Sequence, residues 1–155
     1  MSDLTDRATS IRSGEELDAK VVLEFLKASI PGLDGGIEIK QFPSGFSNLT
    51  YWVKVGDREM ILRRPPFGKK AKTAHDMGRE YKVLSALKPH FPYCPQPLAY
   101  TEDESVMGCP FYVMERIPGI ILRRDLPAGM ELNAREARTL SENLIKVQHK
   151  LHSVD

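Results

Sequence analysis

Gln41-Phe42-Pro43-Ser44-Gly45-Phe46-Ser47-Asn48 is the stretch on which the fold turns. Before it, Ile37 and Ile39 alternate with Glu38 and Lys40; after it, Leu49, Tyr51, Val53 and Val55 alternate with Thr50, Trp52 and Lys54. A period of two marks half-buried strands, so the eight residues form the tip of a hairpin. That tip is small and polar. Pro43 removes a backbone donor, Gly45 lets the main chain approach a ligand, and Ser44, Ser47 and Asn48 offer side-chain donors to an anion. Taken alone it reads first as an ordinary turn, because Ser, Gly, Asn and Pro gather in turns for local reasons. The surrounding residues decide whether it is instead a phosphate-covering loop.

Upstream, residues 1–12 are polar and unpatterned and read as a mobile lead. Ser13-Gly14-Glu15-Glu16 has the form of a capping box, with Ser13 as cap, ahead of a helical stripe of Leu17, Val21 and Phe25 flanked by Val22 and Leu26. Pro31-Gly32 ends that helix and Asp34-Gly35-Gly36 turns into the first strand. Downstream, Gly56-Asp57 makes a tight turn into a third strand, residues 58–64, with Ile61 and Arg63 on one face and Met60, Leu62 and Arg64 on the other. Arg63 therefore stands where an apolar residue is expected. Pro65-Pro66 closes the strand, and Phe67-Gly68-Lys69-Lys70-Ala71-Lys72 is a basic loop that reads as solvated.

From about Thr73 the pattern becomes helical, with Met77, Glu80, Leu84 and Leu87 along one stripe. A carboxylate on an apolar stripe either lies at its wet edge or meets a cation, and Arg63 is the cation already aimed inward. Pro89, Pro92, Pro95 and Pro97 keep the next stretch from helix; residues 98–101 and 111–115 read as strands around the bend Glu102-Asp103-Glu104-Ser105. Phe111-Tyr112-Val113-Met114 is apolar throughout and so reads as central. It runs into Ile117-Pro118-Gly119, a break suited to a hinge. Asn133 and Glu136 then form a second capping box before Ala137, Leu140, Leu144, Val147 and Leu151, a stripe that calls for a partner. His149 and His152 are spaced to share a metal, but no carboxylate or thiol is placed to complete a site, so no metal is expected there.

The chain of 155 residues is 41% hydrophobic and 28% charged, enough for one real core. Twenty-two Lys and Arg against twenty-one Asp and Glu leave a formal charge of +1, so no global field recruits nucleic acid or an anionic membrane. A nucleic-acid reading through Arg63-Arg64, Lys69-Lys70, Lys72 and Arg123-Arg124 also lacks interleaved aromatics. No basic leader precedes an apolar run and no stretch is long enough to span a bilayer, which points to the cytoplasm. Cys94 and Cys109 lack metal-knot spacing and read as reduced thiols, and the Asn48-Leu49-Thr50 sequon carries no weight without a secretory signal.

The ordered set resembles the N-terminal lobe of the aminoglycoside phosphotransferase family, the kinase-like enzymes that include choline and homoserine kinases. The resemblance rests on residues 42–51, Leu62-Arg63-Arg64-Pro65-Pro66, Gly78-Arg79-Glu80-Tyr81-Lys82-Val83-Leu84, Phe111-Tyr112-Val113-Met114-Glu115-Arg116 and Leu151-His152-Ser153-Val154-Asp155. These look like the branch fused to acyl-CoA dehydrogenases, and the similarity covers about residues 37–155. It implies an α+β fold: a protein-kinase-like lobe over residues 13–116 with a five-stranded antiparallel sheet and one crossing helix, a hinge and linker over 117–131, and the first helix of a second lobe over 132–155.

The same resemblance places Ser44, Gly45, Phe46, Ser47 and Asn48 over the phosphates of ATP or GTP, Arg63 in the place of the phosphate-pairing lysine, and Glu80 as its partner. Arginine here is a departure from the commoner lysine, and its fork suits either two phosphate oxygens or Glu80. Met114, Glu115 and Ile117 would form the hinge, with the Glu115 carbonyl and the Ile117 amide reading the purine edge. The catalytic Asp and the magnesium-binding Asp of the family are expected in a lobe that would follow residue 155, so no catalytic or metal residue is assigned here. The chain is thus expected to be a fragment, inactive alone, with a small-molecule alcohol bound through the other lobe. The dehydrogenase-fused branch tilts that alcohol towards a hydroxy-acyl or other metabolic compound. The alternative is a non-catalytic nucleotide-binding or interaction module that forms a homodimer through its last helix.

Overall fold

The computed structural model of the protein describes residues 6–43, 48–68, 75–122 and 125–154. Among them run helix α1 (Ala19–Ser29), strands β1 (Ile37–Gln41), β2 (Leu49–Val55) and β3 (Arg58–Arg64), helix α2 (Met77–Leu87), strand β4 (Pro97–Thr101), the short helix α3 (Glu104–Met107), strand β5 (Phe111–Glu115) and helix α4 (Ala134–His152). The strands form one antiparallel sheet in the order β1-β2-β3-β5-β4, so the fold is α+β and β5, apolar along its length, is internal.

The alternation seen in the sequence is the alternation of two different sheet faces. Tyr51, Val53, Val55, Met60, Leu62, Phe111 and Val113 point to one side and are almost fully buried beneath Val22 and Leu26 of α1. Phe25 adds an edge-on contact to Phe111, with ring centroids 4.9 Å apart. Each such side chain contributes about 1.5–3 kcal/mol of apolar burial, which makes this layer the main source of stability. The opposite face carries Thr50, Trp52, Ile61, Arg63, Tyr112 and Met114, as the pairings Thr50–Arg63, Trp52–Ile61, Arg63–Tyr112 and Ile61–Met114 require. Gly56 closes the β2–β3 turn at φ 56°, and the Asp34 carbonyl lies where a Cβ would stand, so glycine is needed there on both counts.

Three expectations change. Helix α1 starts at Ala19, capped by Asp18, whose carboxylate accepts from the Lys20 and Val21 amides at 3.0 and 3.2 Å. Ser13 does not cap it. Gly14 turns the chain at φ 83° and binds the Glu16 carboxylate through its amide, and Leu17 packs on the core just ahead of the cap, at the spacing from Val22 of a hydrophobic staple. The bend at 102–105 contains a helical turn, α3, begun by Asp103 and ended by Gly108 at φ 71°. The polar lead, read as mobile, is anchored over its described part: Thr9 and Gln41 exchange backbone hydrogen bonds of 2.8 and 3.0 Å, adding a bridge to the edge of β1. Gln41 is buried because its side chain accepts from the Arg12 amide at 2.9 Å and donates to Glu15 at 2.5 Å.

Helix α4 carries the expected Asn133–Glu136 capping box, with reciprocal bonds of 3.0 and 2.9 Å, and none of its residues is buried. Both cysteines are buried, and no disulfide joins them. No helix among the described residues is long and apolar enough to cross a membrane.

Candidate functional site

Helix α2 crosses the face of the sheet opposite α1. Asp76 begins it by accepting from the Arg79 amide at 2.8 Å, so it starts at Met77 rather than near Thr73, itself outside the described residues. What seats it is aromatic. Tyr81 stacks on Tyr100 with ring centroids 5.2 Å apart and leans on Tyr112 at 6.4 Å. Gly78 makes the approach possible: a Cβ there would lie 2.6 Å from the Tyr100 hydroxyl oxygen, which is itself held by Glu102 at 2.7 Å. The close crossing carries Glu80 to the strand face where Arg63 projects.

Around Glu80 the structure assembles a network that the sequence showed only in part. Glu80 Oε1 accepts from Asn48 Nδ2 at 2.7 Å, Oε2 accepts from the Tyr112 hydroxyl at 2.8 Å, and Arg63 Nε lies 3.4 Å from Oε2. His75 Nδ1 meets Asn48 Oδ1 at 2.7 Å. Burial pushes the Tyr112 hydroxyl well above the ordinary phenol range, so at neutral pH it is a protonated donor. Arg63 and Glu80 are each about one-third exposed, at 30% and 32% of the side chain, so their attraction is partly screened. Arg63 Nε is buried and has no hydrogen-bond partner among the described residues. A bidentate grip on Glu80, one of the two options open for this arginine, is therefore not what the structure holds.

Arg63 also lines a cavity of about 440 Å³, within the range of small-ligand pockets. Its walls are Phe42, Thr50 and Ile61 from the hairpin strands and their ends, Met114, and the segment from Glu115 to Ile121, with Asp6 at the rim. The lining is mostly apolar, with Arg63 and Thr50 as polar groups on the sheet side. A more open depression of about 530 Å³ lies along α4, but residues 133–143 of that segment alone line it, and one convex helix encloses no ligand.

Of the residues expected over a nucleotide, Arg63, Met114, Glu115 and Ile117 meet in this one cavity. Glu80 stands behind Arg63, outside the lining. Asn48 has its side-chain amide engaged by Glu80 and His75, so one of its two donor hydrogens is directed at the carboxylate. Ser44, Gly45, Phe46 and Ser47 lie outside the described residues, as do Lys69, Lys70, Lys72, Arg123 and Arg124. Glu115 has its backbone N–H bonded to the Gln96 carbonyl at 2.8 Å and its carboxylate turned to the Gln96 amide and Lys88. The basic pair Arg63-Arg64 is split: Arg64 is 4% exposed on the core side, over the Phe67 ring.

Sequence reading missed Tyr112, His75, Gly78 and Asp6. Tyr112 was readable as the off-face residue of an alternating strand, but its place beside Arg63 needs the β3–β5 pairing, which joins strands not consecutive in the chain. Asp6 reaches the rim because its amide donates to the Gly119 carbonyl at 3.2 Å, and the backbone segment from Asp6 to Thr9 thus runs from the segment after β5 to the edge of β1.

Comparison with known proteins agrees with this fold. A model of the phosphotransferase enzyme family, APH, matches residues 38–155. The chain belongs to this family. Its curated relatives include acyl-CoA dehydrogenase family member 10 of Mus musculus, 39% identical over 121 residues, covering 78% of this chain and 11% of the relative. Acyl-CoA dehydrogenase family member 11 of Gallus gallus is 34% identical over 152 residues, covering 95% and 19%. The crystal structure of a protein from Ralstonia eutropha described as an aminoglycoside phosphotransferase superposes with a TM-score of 0.73 at 26% identity, over 90% of this chain and 39% of that one. The chain thus spans between a tenth and a fifth of the curated relatives' length and about two-fifths of the solved one. The sheet with its crossing helix is the kinase-like phosphotransferase fold.

Proposed function

We propose that the chain is the nucleotide-binding half of an ATP- or GTP-dependent small-molecule O-phosphotransferase. The observation that carries this is the cavity that joins an apolar slot, between Ile61 and Met114 on one side and the segment after β5 on the other, to a single inward arginine backed by a glutamate. A flat heterocycle suits the slot, and the segment around Glu115 and Ile117 is where backbone groups would read its edge. Phosphoryl transfer depends on position and on neutralising charge that spreads over the transferred group, and Arg63 is placed to do both for the anionic end.

In this reading the chain's own residues bind and orient, and the acceptor alcohol with its base belongs to a second lobe. Among the described residues no group of three His, Cys, Asp or Glu is arranged to hold a metal ion; this reading assigns the magnesium ligands, with the base, to the second lobe. The acceptor is a small-molecule alcohol, and the dehydrogenase-family relatives favour a metabolic one.

The alternative is a non-catalytic nucleotide-binding or interaction module that pairs through α4. It draws on the exposure of Leu144 at 66% and Ile145 at 65%. Titration calorimetry of the full-length protein with ATP and with GTP tests the first reading. Binding that Arg63→Ala weakens at least about tenfold, the value of one charge-assisted contact, is expected. Absence of binding by the unaltered full-length protein would sink it, and a discrete dimer by sizing chromatography would then favour the alternative.

A further inference from the structure

Asn48 is 6% exposed and both polar atoms of its side chain are engaged, one by Glu80 and one by His75. A carboxylate only accepts, so the amide must turn its NH2 to Glu80, and its carbonyl oxygen then faces the imidazole. An acceptor at 2.7 Å from Nδ1 requires that nitrogen to carry the proton. His75 is therefore fixed in its Nδ1–H form by a partner whose own orientation is fixed by Glu80.

We propose that His75 is a positioning residue for the Arg63–Glu80 pair, acting through Asn48. It rests on the reading in which Arg63 meets nucleotide phosphates. By donating to Oδ1, His75 anchors the end of the Asn48 amide away from Glu80, so that the side chain is held at both ends. The NH2 stays on Glu80 Oε1 while Tyr112 holds Oε2, so the carboxylate is gripped from both ends and cannot swing away from Arg63. Among the described residues Arg63 Nε has no hydrogen bond to keep it in place, and the cation depends on that fixed charge 3.4 Å away. Without His75 the buried carbonyl oxygen loses its donor, the Asn48 amide is held at its Glu80 end only, and the carboxylate and the cation at the cavity wall loosen with it.

Two measurements on the full-length protein test this. Long-range nitrogen–proton correlation of histidine-labelled protein, at a pH above the ordinary imidazole range, reports the tautomer of each ring, with His75 assigned by its loss in His75→Gln. The expected result is Nδ1–H at His75, whereas a free imidazole favours Nε2–H; Nε2–H at His75 overturns the proposal. Calorimetry with ATP then compares His75→Ala and His75→Gln. His75→Ala is expected to weaken binding about fivefold, the value of one hydrogen bond, and the amide donor of His75→Gln to restore part of it. His75→Ala that binds like the unaltered protein overturns the proposal while leaving the nucleotide reading intact. If the unaltered protein binds no nucleotide, that reading fails, this role for His75 fails with it, and the tautomer still reports whether the lock on Asn48 exists.

Discussion

Replacing Glu80 with glutamine removes one charge and almost no volume, so it isolates what that charge does. In the native site the carboxylate accepts from Asn48 at 2.7 Å and from Tyr112 at 2.8 Å and faces Arg63 Nε at 3.4 Å. Glutamine can accept through one oxygen only. If that oxygen takes Tyr112, its NH2 stands against the Asn48 NH2; if it takes Asn48, the NH2 donates to the Tyr112 hydroxyl oxygen, reversing that bond, and stands against Arg63. Hydrogen bonds to a charged group are worth about 1.5–3 kcal/mol and neutral ones about 1, so turning both neutral in the better orientation removes about 1–4 kcal/mol. With both Arg63 and Glu80 about a third exposed, water relieves part of this, and about 1–2 kcal/mol remains.

For a chain of this size that corresponds to a fall in Tm of about 2–8 °C, with an unchanged urea m-value. The sharper assay is a double-mutant cycle with Tyr112→Phe. Tyr112 contributes through the Glu80 carboxylate, so its removal should cost less in the Glu80→Gln background, with a coupling of about 0.5–1 kcal/mol. Additive effects, within about 0.3 kcal/mol, would refute the claim that Tyr112 and Glu80 act as one unit.

Thr9→Pro deletes the amide that bonds to the Gln41 carbonyl and should speed hydrogen exchange at the amides of Asp6 and Gln41 together; unchanged protection at Asp6 would show that the segment is not held as one strap. Asn133→Ala removes a cap worth about 1 kcal/mol from a helix with no buried residue, so faster exchange at Glu136 and Ala137 should appear without a shift in the unfolding midpoint of the sheet, and a shifted midpoint would contradict the isolation of α4. In alkali, burial holds the Tyr51 hydroxyl at a pKa of about 12 and raises that of Tyr112 too, against an ordinary value of about 10 in the unfolded chain. The folded state keeps these protons more tightly, so their contribution is complete below pH ~10 and is lost as pH rises towards 12; a tyrosinate absorbance titration should show both ionising only together with loss of structure, and ionisation in a still-folded protein would refute it.

The parts of the fold legible in the sequence are those in which one face of an element differs from the other. Strands β2 and β3 bury one face under α1 and turn the second to α2 and the cavity, so their alternation survives in the residue order, and Arg63 stands out as a cation in an otherwise apolar row. Glu80 stood out in the same way on the stripe of α2. The start of α1 was not legible because Ser13 and Asp18 are equally good caps; the choice fell to Gly14, whose positive φ makes the first of them a turn. The strap was hidden because a backbone bridge between Thr9 and Gln41 asks nothing of the side chains in between. The reach of Asn48 to Glu80, and of His75 to Asn48, spans 32 and 27 residues and follows from where α2 is seated, which depends on Gly78 and three tyrosines rather than on any local pattern.

Why an arginine stands at position 63 follows from what Glu80 already has. Both of its oxygens are supplied with donors, from Asn48 and Tyr112, so Glu80 makes no demand on the guanidinium as a hydrogen-bond donor. A lysine in the same place would bring three rotatable donors and a compact charge that Glu80 would draw in completely. The planar fork instead approaches Glu80 no closer than 3.4 Å through a buried, unpartnered Nε, and its side chain reaches the cavity wall. A buried donor without a partner costs about 1–3 kcal/mol, a cost the fold tolerates at a position where the fixed negative charge alongside keeps the cation in place. An anion entering the cavity would meet a cation whose position is set but whose donors are not yet used, which is the arrangement that favours binding of spreading negative charge without reorganisation.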